Sequence, residues 1–231
     1  MTAQTERTAN KSANKDRAED WLNLAYEILI RSGVEAVKIQ PLAKALNTSR
    51  TSFYWFFKDR DALLDQLIER WENTNTQGLI TQTERYADSV VEAMLNVFDC
   101  WLDARLFDAD FEYAIRHWAL HSPAVAKAVD AADQQRLAAL RAMLTRYDFP
   151  DGEADVRSRT IYLTQIGYIS MRTQENLSER LNRMADYVRV FTGRVCSEND
   201  LARFVARHHD DPKGWLQRHR LLPGDAWLVD R

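Results

Sequence analysis

Arg50, Thr51 and Tyr54, with Thr48 just before them and Lys58 just after, are the residues whose types and spacing point to a definite chemistry. A guanidinium pairs bidentately with guanine O6 and N7, and a threonine offers a methyl to thymine or a hydroxyl to a base acceptor. Thr48, Tyr54 and Lys58 suit phosphate oxygens, contacts that fix register on a duplex without reading its sequence. Trp55 shares their face, and Lys38 and Gln40 stand where a neighbouring phosphate can be held. Two short helices must position this set. Phe53 and Phe57, four apart, turn one side of the second helix inward, while Leu42, Ala43 and Leu46 repeat at helical spacing on the first. Between the helices Asn47 suits a left-handed C′ position, and Thr48 or Ser49 offers a side-chain oxygen as N-cap. That is the layout of a helix-turn-helix, whose second helix enters the DNA major groove.

The run Gly33 … Val37-Lys-Ile … Leu42-Ala43 … Leu46-Asn-Thr-Ser49 … Phe53-Tyr54-Trp-Phe-Phe57-Lys58 … Leu63-Leu64 resembles the N-terminal DNA-binding domain of the TetR family of bacterial transcriptional regulators. The resemblance spans about residues 17–70. Gly33, Ala43, Ser49, Tyr54, Phe57 and Lys58 fall in register. Four positions depart from the family pattern. Lys38 stands where Thr or Ser is common, Asn47 where Gly is common, Thr51 where a small residue is common, and Phe56 where His is common. Asn tolerates positive φ, so the second change is mild. Phe56 cannot make the phosphate contact of the family's His, and that contact does not carry over.

Composition sets the frame. The chain has 231 residues, 28% charged and 45% hydrophobic, with only 7 Gly and 5 Pro, a profile that with its long periodic runs favours an all-α globular protein. Residues 1–58 hold nine Lys and Arg against six Asp and Glu, net +3, and the remainder is −6. A basic head on an acidic body is what results if only the head meets phosphates. Cys100 and Cys196 lack metal-ligand spacing, so a reducing cytoplasm is the expected location. No signal peptide and no apolar run of spanning length is visible, so no membrane partner is expected.

The expected domains are a polar, disordered arm over 1–15 (Lys11 and Lys15 reaching towards DNA), a three-helix helix-turn-helix domain over 16–60, and a helical body over 61–231 for effector binding and dimerisation. Helix 1 is read from about 16 to 31, with Trp21, Leu24, Ala25, Ile28 and Leu29 as its apolar stripe and Gly33 as its stop. Asp59 caps a fourth helix running to about 80. Further helices are expected near 88–104, 109–120, 123–147, 153–176, 178–191 and 198–208. The tail with Trp215 and Trp227 is expected to pack across the body.

Phe98, Trp101, Phe111, His117, Trp118, Tyr162, Gln165 and Tyr168 are candidates to line a cavity for an apolar or aromatic ligand. The family resemblance supports that reading, because similar regulators bind an unidentified small-molecule effector in the body. Arg116 and Arg172 are further candidates to orient it. The resemblance also implies a homodimer through the helices of 153–176 and 178–193. Leu163, Ile166, Gly167 and Ser170 form one face, and Met184, Tyr187, Val188 and Phe191 the other. A two-fold dimer would place two recognition helices about 34 Å apart to read a palindromic double-stranded operator.

His117 and His121 share a helical face, but no third ligand at matching spacing supports a metal. No cofactor motif and no catalytic set is visible, so an enzyme is not expected. The function read from the sequence is therefore an effector-controlled, DNA-binding transcriptional regulator, most simply a repressor. The alternative is a helical ligand- or partner-binding protein that has lost specific DNA readout.

Overall fold

The computed structural model describes the backbone of residues 2–210 and the side chains of residues 17–210. The readings of the Trp-containing tail and of Lys11 and Lys15 lie outside them. Among the described residues there are helices and no strands. No described helix is long and apolar enough to cross a membrane. The described residues form two compact units: a head unit within 2–74 and 109–132, and a body unit within 75–108 and 133–210.

In the head unit, α1 (Thr2–Ser32) is longer than expected. No Gly or Pro lies within it, so nothing in the polar stretch before Asp16 breaks the backbone. Gly33 ends it at φ 77°, its N–H donating to the Leu29 carbonyl at 2.9 Å. Next come α2 (Ile39–Ala45) and α3 (Arg50–Phe53), with Asn47 between them at φ 50°. Helix α3 is shorter than the periodicity implies. Beyond Phe53 the amides of Tyr54, Trp55 and Phe56 donate to Thr51, Ser52 and Phe53, the i→i−3 pattern of a 3₁₀ turn. Five consecutive aromatic residues, each a modest helix former, account for the tightening.

Phe53 anchors the head core, edge-on to Trp21 at 5.2 Å and stacked on Phe57 at 5.2 Å. Helix α4 (Arg60–Trp71), capped by Asp59, sends Leu63, Leu64, Leu67 and Trp71 into the same core. Helix α7 (Ala109–Ala119) adds Phe111, Ala114 and Ile115, and the first part of α8 (Pro123–Thr145) adds Val125, Val129 and Ala132. The head unit thus recruits segments that a boundary at residue 60 assigns to the body. Their apolar stripes complete a core too small for three helices to close.

A buried polar lock joins α4 to α7. Glu112, with no exposed surface, accepts the Trp71 indole N–H at 2.6 Å and Arg116 Nε at 2.9 Å. A carboxylate taken this far from water needs such donors to offset its desolvation.

The body unit holds α5 (Gln77–Glu84), α6 (Val90–Leu102), the rest of α8, α9 (Asp151–Ser170), α10 (Leu177–Asn182), α11 (Met184–Thr192) and α12 (Glu198–His208). Helix α6 is buried all round from Ala93 to Cys100, as its nearly unbroken apolar sequence demands. Its one carboxylate in that stretch, Asp99, meets His208 Nε2 at 2.7 Å, Arg207 at 3.2 Å and Arg85 at 3.3 Å, which ties down the end of α12. Fully buried Arg136 of α8 donates to Thr76 Oγ1 at 2.9 Å and to the Tyr162 hydroxyl at 3.0 Å, and Tyr162 donates onward to Asp133 at 2.6 Å. Gly78 permits a close approach, since a Cβ there would stand 1.9 Å from the Leu106 carbonyl oxygen.

Three further element boundaries differ from those the periodicity implies. A π-helical turn over Glu72–Thr76 interrupts the helix read through to 80. Helix α9 stops at Ser170, with Arg172 at φ 51°. Asn176 and Glu179 form a capping box that starts α10, which gives way at Arg183 to α11; Gly193 ends α11 at φ 69°.

Candidate nucleic-acid interface

Burying Phe53 and Phe57 turns the other side of the helix-turn-helix outward. Lys38, Gln40, Thr48, Arg50, Thr51, Tyr54, Trp55 and Lys58 are all exposed. Trp55 is 75% exposed, unusual for an indole without something to cover it. Ser49 caps α3 by accepting from the Ser52 amide at 3.2 Å. Thr48 and Ser52 join hydroxyls at 2.8 Å, and Arg50 donates to the Tyr54 hydroxyl at 3.2 Å. This bond holds the guanidinium along the helix face rather than loose in solvent, which lowers the ordering cost of docking. Arg60 braces the motif from behind, donating 2.6 Å bonds to the carbonyls of Val37 and Val34 in the segment before α2. Phe56 is half-buried against the head core, so its ring serves packing.

The eight cavity candidates separate. Phe98, Trp101, Gln165 and Tyr168 meet in one cleft of the body unit, about 380 Å³ including its mouth. Phe111 lies instead in the head core, edge-on to Tyr26 at 5.0 Å. Trp118 packs half-buried against that core, and exposed His117 stacks on Tyr113 at 6.3 Å. Helix α7 turns its apolar stripe to α1 and α4, which removes all three from the body. Tyr162 is committed to Arg136 and Asp133, and Arg116 to Glu112. Among the described residues no cluster of three metal-ligating side chains occurs.

The cleft also holds residues that periodicity does not reveal as ligand-facing: Glu175, Arg180 and Arg183, together with Met184, Tyr187 and Phe191, which the sequence places at a dimer interface. Tyr168 and Tyr187 join hydroxyls at 2.7 Å, and Arg183 reaches Glu175 at 2.7 Å and the Tyr168 hydroxyl at 3.3 Å. Burial raises the Tyr187 hydroxyl pKa, and its bond to Tyr168 acts in the same direction. The Asn176–Glu179 capping box was the signal available in the sequence for a separate short helix carrying Arg180.

Of the expected dimer face, Leu163 and Ser170 are exposed and Ile166 and Gly167 half-buried, whereas Met184, Val188 and Phe191 are buried within their own chain. The outward large apolar side chains on α9 and α11 are Val156, Leu163 and Val190. A Cβ at Gly167 would meet nothing within 4 Å.

Residues 22–67 match the family model of bacterial regulatory proteins of the tetR family. No curated protein matches the chain in sequence. Among solved structures, Salmonella enterica GusR is similar at 15% identity, over 83% of this chain and 94% of that one, with a TM-score of 0.52. A putative TetR-family transcriptional regulator from Mesorhizobium loti MAFF303099 is similar at 12% identity, over 84% and 97%, with a TM-score of 0.54. At these identities the likeness establishes a shared fold.

Proposed function

We propose that this chain, a TetR-family transcriptional regulator, works as a homodimeric repressor that binds a palindromic operator through its head and a small-molecule effector in its body. The observation that carries the reading is the exposed set on one face of the helix-turn-helix, with Arg50 already aligned by Tyr54. Arg50 reads a guanine, Thr51 a neighbouring base, and Thr48, Tyr54, Lys38, Gln40 and Lys58 engage phosphates. Trp55 lies against the sugar-phosphate backbone. The outward Val156, Leu163 and Val190, with Gly167 allowing close approach, support a two-fold interface.

Control follows as a population shift. An effector in the cleft favours one body conformation, and the chain returns to the head through the π-helical turn at Glu72–Thr76. Only differential affinity for the two conformations can move the equilibrium.

The test is selection of bound duplexes from a random DNA pool by the full chain, with Arg50→Ala and Tyr54→Phe as companions. An enriched palindrome is expected, with Arg50→Ala relaxing preference at one base position per half-site by about 1–3 kcal/mol. If no sequence is enriched and binding vanishes at physiological salt, the head is not a specific reader and the proposal fails.

A further inference from the structure

The body cleft contains polar side chains without a hydrogen bond to any described residue. Gln165 is only 6% exposed, lines the cleft, and its carboxamide meets no partner there. Its amide atoms are not sealed from solvent, so they open onto the cleft and are free to meet a bound molecule. The guanidinium of Arg180, half-buried on the same cleft, makes no hydrogen bond and no ion pair with any described residue. Burial pushes its pKa down against the pull of Glu175. Glu175 is engaged by Arg183, which leaves the lining with two guanidinium groups and one carboxylate. The remainder of the wall is apolar and largely aromatic, with Phe98 edge-on to Trp101 at 5.0 Å.

Building on the reading of this cleft as the effector site, we propose that it takes a small organic monoanion, a carboxylate carried on an aromatic or alicyclic body. The carboxylate accepts paired hydrogen bonds from the Arg180 fork, the geometry that makes Arg the residue of choice for carboxylates. The Gln165 amide donates a further bond, and the ring lies against Phe98 and Trp101. A cation would face Arg180 directly, and a neutral hydrocarbon would leave both polar groups unanswered. A single negative charge balances the lining.

The experiment titrates full-length protein by calorimetry and tryptophan fluorescence. The probes are phenylacetate, indole-3-acetate and naphthalene-2-carboxylate, each beside its primary amide, against wild type, Arg180→Met and Gln165→Leu. Thermal melts establish that both variants are folded. At least one acid is expected to bind wild type about ten- to a hundredfold more tightly than its amide. Arg180→Met should erase that difference while leaving amide affinity within about threefold, and Gln165→Leu should weaken acid binding less than Arg180→Met does. Amides binding as tightly as acids, or an acid preference that survives in folded Arg180→Met, would overturn the ligand class while leaving the cleft as an effector site. If neither acids nor amides of any size bind wild type, the cleft reading falls along with it.

Discussion

Replacing Glu112 by Ala tests whether α7 belongs structurally to the head. The carboxylate has no exposed surface, and its donors include the indole N–H of Trp71 at the end of α4 and the four-fifths buried guanidinium of Arg116. Deleting one partner of a buried ion pair costs about 3–5 kcal/mol, because the surviving charge keeps its desolvation penalty. The lost indole bond is included in the same truncation. Against a typical domain stability of about 5–15 kcal/mol this is a large fraction. With a urea dependence of about 2 kcal/mol per M, the midpoint for the head unit should fall by about 2 M. Glu112→Gln retains an acceptor for Trp71 but no charge for Arg116, and should lose roughly half as much. The assay is urea unfolding by circular dichroism, with hydrogen exchange assigning the transition to residues 17–74 and 109–132. A Glu112→Ala midpoint within about 0.5 M of wild type, roughly 1 kcal/mol, would refute the lock and return α7 to the body.

Four further outcomes are expected. Gly78→Ala places a methyl 1.9 Å from the Leu106 carbonyl oxygen and should lower stability by about 1–3 kcal/mol or more; an unchanged melting temperature would contradict the close approach. Burial lifts the Cys196 thiol to about 11, so at pH 8 it holds roughly a hundredth of an ordinary thiol's thiolate. Its alkylation should therefore lag a peptide thiol's about a hundredfold and climb roughly tenfold per pH unit towards that value. Cys100, held protonated by burial and by neighbouring Asp99, should stay unlabelled until the chain unfolds. Lys58→Ala should weaken binding to all duplexes alike and reduce the slope of log affinity against log salt by about 1, with sequence preference intact; a shifted preference would make Lys58 a base reader.

The helix-turn-helix is legible in the amino-acid sequence alone. Its signals are local: Gly33 at positive φ, Asn47 in the left-handed turn, Ser49 and Asp59 as caps, and Phe53 and Phe57 four apart. Such signals act within a few residues, and they alone turn Arg50, Thr51 and Tyr54 outward. Which helix each apolar stripe meets is set by long-range packing instead. Phe111 and Trp118 look like any ligand-facing aromatics until α7 is seen to lie on α1 and α4, because a stripe records that a face is buried and not against what. Met184 and Phe191 likewise carry the periodicity of an interface but line the cleft of their own chain. Tertiary placement also separates Arg183, engaged by Glu175, from Arg180, which has no such bond. Two arginines three residues apart are alike in sequence, and only the three-dimensional position of one carboxylate makes them different.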